Sequence, residues 1–138
     1  METVETEGDQ RGEASAVSGD QLREIARALT TAVKTHYGRG PVSSRAHMVE
    51  EDVLIVVMRG GATTAEKSMV REGREDDARL FRLAFQDAYG TQIRGIVENL
   101  TGRTVGSYHS QILFDPDVLF EIFVFSENRG SSTLEDDE

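Results

Sequence analysis

From residue 20 onward, apolar side chains recur every three or four positions at Leu22, Ile25, Ala26, Leu29, Val33 and Tyr37. That interval places them on one stripe and predicts an amphipathic helix packed on a core. Ser18 or Asp20 can cap its start. Gly38 is placed to end it in the left-handed conformation, and Pro41 stops it from resuming. The period then shortens to two. Val42, Ala46 and Met48 share one face while Arg45 and His47 point to the other, as in a half-buried strand. After Glu50-Glu51-Asp52 the chain returns through Val53 to Met58, which is apolar on both faces.

Helical spacing resumes at Thr63. Thr63 and Glu66 form the S/T-x-x-E capping box, in which each side chain reaches the other's backbone N–H. Gly73 is expected to interrupt this helix. A longer one is predicted from about Asp76 to Leu100, with Glu75-Asp76-Asp77 at the positive end of its dipole. Its expected stripe runs through Phe81, Ala84, Phe85 and Ala88, then Gln92, Ile93, Ile96, Val97 and Leu100, with Gly90 in mid-helix. Two strands, 103–113 and 118–125, flank a turn at Phe114-Asp-Pro-Asp117. The order α-β-β-α-α-β-β predicts an α+β fold, a mostly antiparallel four-stranded sheet packed against amphipathic helices. Because two strands are apolar on both faces, helices on one side would leave the other facing water. A patch of that kind marks an interface. The expectation is a homodimer, the commonest symmetric assembly, with one chain covering both of its own sheet faces as the competing arrangement.

Composition refines this in one respect. The 138 residues carry Lys+Arg 15 against Asp+Glu 25, a net charge of −10. Residues 1–17 hold five acids and one arginine, and residues 127–138 hold the same. Both ends are expected to be disordered acidic tails around a single, nearly neutral domain at 18–126. The negative balance argues against nucleic acid as a partner, which needs a cationic surface to release counterions, one that only a local arginine patch could supply here. Lys34 and Lys67 are the only lysines. That bias suits a saline cytoplasm and, equally, a genome that favours arginine codons. Without cysteine there is no disulfide and no thiolate zinc site. No apolar run approaches the ~18 residues of a membrane span, and Met1 to Glu7 has neither a basic nor an apolar signal region. The expectation is a cytoplasmic protein.

Candidate chemistry is sparse. His36, His47 and His109 are scattered, without metal-ligand spacing. Ser107 and Ser110 bracket His109 but lack a nucleophile elbow. Gly60-Gly61-Ala62-Thr63-Thr64 joins a strand to a helix start, where free N–H groups and two hydroxyls could hold a small anion, although the P-loop spacing is missing. Arg45, Arg59 and Arg103 lie on or beside strands. The candidate anion or partner contacts are Arg45, Arg59, Thr63, Thr64 and His109, for which helix capping and charged sheet edges are the plainer explanations. No catalytic, cofactor or metal residue is assigned.

Three strings carry a resemblance: Gly38-Arg-Gly-Pro41 before the first strand, Thr63-Thr-Ala-Glu-Lys67 at the middle helices, and Leu100-Thr-Gly-Arg-Thr-Val105 running to His109-Ser110. In order and spacing they resemble the MpsC family over residues 18–126. Two positions depart from its pattern: Thr64 stands where proline is common, and Gln111 where an aspartate follows the His-Ser pair. Thr64 is harmless at the first helical position, whereas Gln111 removes a charge that a cation would use. The family name implies a sodium-translocating, membrane-potential-generating system, and relatives of its membrane partners are tied to inorganic-carbon uptake. The resemblance therefore implies a soluble, non-enzymatic accessory protein or regulator, peripherally associated with membrane transport subunits. The readings set against it are a small-anion sensor or enzyme built on the helix start at Thr63 and, as a minor one, a nucleic-acid-binding regulator.

Overall fold

The computed structural model describes residues 16–126. The acidic ends expected to be disordered lie outside the described residues, apart from Ala16 and Val17, and Val17 packs against the core. Helix α1 spans Gly19–Tyr37. Ser18 caps it in a reciprocal box with Gln21, and Gly38 closes it at φ 88°. Its buried stripe is Ile25, Ala26, Leu29, Ala32 and Val33, the face that the period predicts. Strands β1 (Ser43–Val49) and β2 (Val53–Arg59) form the first hairpin. Helix α2 (Thr64–Arg71) begins at the expected Thr63–Glu66 capping box. Replacing Thr63 or Ser18 by alanine is expected to cost about 1 kcal/mol each, because each substitution orphans a helix N–H; urea midpoints would measure it.

The predicted long helix is two helices, α3 (Glu75–Ala88) and α4 (Gly90–Thr101). Tyr89 breaks it at φ −105°, ψ 13°, where its ring stacks on His36 with centroids 4.2 Å apart and lies 4.9 Å from that of Phe85. A methyl on Gly90 would meet the Tyr108 ring at 3.7 Å, so α4 starts where the chain passes close over the sheet. The predicted stripe on α3 is also rotated. Ala78, Arg82 and Gln86 are buried, whereas Ala84 and Ala88 are exposed and Phe81 is 60% exposed. On α4, Ile93 and Val97 are buried as predicted, while Gln92 is exposed. The cause of the rotation is polar: Arg82 and Gln86 have buried carboxylate partners to reach.

Strands β3 (Val105–Phe114) and β4 (Asp117–Phe125) complete an all-antiparallel sheet in the order β1-β2-β4-β3. One face carries Leu54, Val56, Met58, Ile112, Leu119 and Phe123 into a core with Ile25, Leu29, Ile93 and Val97 from α1 and α4. The domain is thus a two-layer α+β sandwich with its core between the helices and one side of the sheet.

Candidate interaction face and buried polar cluster

Strand register fixes what the other side presents. Reading across β1, β2, β4 and β3, one row is Arg45, Val57, Phe120 and Gln111, and the next is His47, Ile55, Ile122 and His109. A row on either side adds Ser43, Arg59, Val118 and Leu113, of which Val118 is buried, then Val49, Val53, Val124 and Ser107. Apart from Arg59, the two central strands therefore give an apolar strip, and the edge strands give a rim that is polar except at Val49 and Leu113. Val53, Ile55, Val57, Phe120, Ile122 and Val124 are only half-buried, and none of them belongs to the core cluster. Apolar surface of this size left open is costly at about 25 cal/mol per Å². Taken together, the alternating parity of a strand and the one-sided placement of the helices produce it.

Among the predicted contact residues, Arg45, Arg59 and His109 share this open face. Arg45 and His109 stand on opposite edges, about 14 Å apart at the usual strand spacing, so they do not form one anion pocket. Thr63 and Thr64 belong to the helix side. There the Thr63 N–H donates to Glu66 Oε1 at 2.8 Å, so the protein's own carboxylate already occupies the anion position at the start of α2. Arg103 lies with its guanidinium 4.4 Å from the centroid of the Phe125 ring and donates to the carbonyl of Glu51.

Sequence reasoning missed a polar cluster beneath α3. Arg82 Nε and Nη2 donate to the two oxygens of Glu66 at 3.0 and 2.8 Å, with both side chains only 4% exposed. Arg82 Nη2 also donates to the Gly61 carbonyl, and the guanidinium lies 4.0 Å from the Tyr37 ring centroid. The Tyr37 hydroxyl donates to Glu66. Burial, followed by that hydrogen bond, pushes its pKa up to about 12. A second group centres on Glu121, which is 1% exposed. It accepts from Gln86 Nε2 at 2.8 Å and from the Ser110 hydroxyl, which lies 3.3 Å from the hydroxyl of Tyr108. Burial raises the carboxyl of Glu121 to about 7. Tyr108 is pushed up by burial, then by the charge of Glu121.

Every buried side-chain donor and acceptor among the described residues has a partner within the protein. The cluster is committed to holding α3 on the sheet. One partial signal was readable: Glu121 shares strand parity with Leu119, Phe123 and Phe125, one of the two apolar faces of its strand. The pairing of Glu66 with Arg82 leaves no local trace.

Among the described residues, no helix is long and apolar enough to cross a membrane, and no group of three or more metal-ligating side chains is assembled. No curated protein and no solved structure matches the chain. A family model does. The model described as the Na+-translocating membrane potential-generating system (MpsC) matches residues 18–127, the whole folded domain. Matched over most of its length by that model, the chain belongs to the MpsC family.

Proposed function

We propose that the protein is a non-enzymatic, homodimeric accessory subunit of a sodium-translocating, membrane-potential-generating system, acting through protein contacts. The family description supplies the system. The observation that carries the contact role is the open sheet face. Its apolar centre and polar rim have the anatomy of a protein interface. Four strands of seven or more residues cover about 19 by 25 Å, a footprint of about 475 Å² that supplies more than half of the ~800 Å² one side of a standard interface buries. A second copy fits because two such faces stack at about 10 Å with their side chains interdigitated, and a two-fold axis brings apolar strip onto apolar strip. The polar rim then stays wet. The buried polar cluster supports a structural reading over a catalytic one, since its groups spend their hydrogen bonds on each other.

The accessory role is tested by crosslinking the protein to membranes of its own organism and identifying what is joined to it. Recovery of ion-translocating membrane subunits is expected, along with their loss when Ile122 is changed to glutamate. Recovery of soluble enzymes alone would overturn the assignment.

A further inference from the structure

A recess at the edge of the sheet has no assigned role. A groove of about 510 Å³ runs between α1 and β1. Ser44, Arg45, Ala46 and His47 line it as four consecutive residues. Side chains alternate across a strand, so lining of both parities means that the groove follows the free backbone edge of β1. β1 is an outer strand of the sheet, and among the described residues its N–H and C=O groups on that side have no strand partner. The opposite wall is the flank of α1 where its buried stripe meets solvent. Gly19, Ala26, Thr30 and Thr31 there are small enough to let another backbone approach.

The charge of the groove is one-sided. Arg23, Arg27 and Arg45 line it, and among the described residues no carboxylate does. Arg23 and Arg27 are each held by an acid three residues earlier, Asp20 and Glu24, in exposed pairs of the kind that contribute little and exchange readily. Arg45 has no hydrogen-bond or ion-pair partner among the described residues. An arginine on an edge strand repels a second copy of the same edge, which blocks self-pairing of this strand. The same arrangement favours an incoming strand of opposite charge.

We propose that the α1–β1 groove takes an extended acidic segment of a partner protein, added to β1 as a fifth strand. Backbone pairing along β1 supplies the affinity, and Arg23, Arg27 and Arg45 select glutamate and aspartate side chains. This extends the contact role proposed above to a second surface, and it stands independently of dimerisation through the sheet face.

The probe is an acetylated, amidated octapeptide alternating glutamate and valine, titrated into the ¹⁵N-labelled full chain. Amide shifts concentrated at Ser44 to His47 are expected, weakening as salt is raised. Arg45→Glu should weaken binding at least tenfold, and Arg45→Gln by less. The lysine–valine peptide should not bind. Ile122→Glu, placed on the sheet face, should leave peptide binding intact, so that failure of the dimer and failure of the groove are read separately. Three results would overturn the proposal: equal binding of the lysine peptide, unchanged affinity in Arg45→Glu, or loss of binding in Ile122→Glu. Amides of β1 already protected in the free chain, and released only when the acids of residues 1–15 are neutralised, would assign the groove to the chain's own end instead.

Discussion

Replacing Arg82 by alanine should cost about 3–5 kcal/mol of folding free energy, the largest effect expected of any single polar substitution here. Among the described residues, Arg82 is the only cation within hydrogen-bonding reach of Glu66, and both side chains are only 4% exposed. Removing it strands a carboxylate indoors and leaves the Gly61 carbonyl and the Tyr37 ring without their cation. A buried pair differs sharply from its halves: replacing both partners by apolar residues of similar volume is often neutral. The double variant Glu66→Met/Arg82→Met should therefore recover most of the loss. About 1 kcal/mol should stay missing, because Glu66 also accepts the Thr63 N–H at the head of α2. Urea denaturation of the wild type, Glu66→Met, Arg82→Met and the double variant, with Arg82→Ala beside them, measures this. A single-variant cost below about 1 kcal/mol would show that the pair carries no such role.

The second large effect is in pH dependence. Burial raises the Glu121 carboxyl from its ordinary 4.5 to about 7. Between those values the folded protein holds a proton that the unfolded chain has released. The native state then binds more protons, and the linkage slope makes stability fall as pH rises across that window. The contribution is fully present below about 4.5 and lost by about 7. Converting the shift at 1.36 kcal/mol per unit gives about 3 kcal/mol. Glu121→Gln keeps the shape without the charge, given a turn of the Gln86 amide to present its oxygen. This variant should be more stable than the wild type by about that amount above pH 7 and nearly equal to it near pH 4. The difference between the two curves isolates this residue from the surface acids. A difference that does not change with pH would contradict the assignment.

Both effects arise in the part of the fold that the sequence shows least. Elements made by local rules were legible: the stripe of α1, the caps at Ser18 and Thr63, the turn after β1, and two-sided apolarity in β2 and β4. The parity of β2 and β4 also forecast an open sheet face, because a strand apolar on both sides needs cover on both. The rotation of α3 was not legible. Phe81 and Phe85 looked like its core face, yet Phe81 is mostly exposed and Phe85 packs on Tyr37 with ring centroids 4.8 Å apart. What turned the helix was Arg82 reaching a carboxylate sixteen residues away, a partner that only the tertiary fold supplies. The break at Tyr89 has the same origin, in stacking on His36 and close passage over Tyr108. Of the candidate contact residues, Arg45, Arg59 and His109 could be placed on one face by parity. Their separation across the sheet followed only from the strand order, which places β4 between β2 and β3.

Sedimentation equilibrium on the full chain at micromolar concentration, set beside Ile122→Glu, tests the central claim that the open sheet face is an interface. The 15.3 kDa chain should sediment at twice its mass, and Ile122→Glu should sediment as a folded monomer. A wild-type monomer at that concentration, or a dimer that survives a glutamate in the centre of the apolar strip, would contradict it.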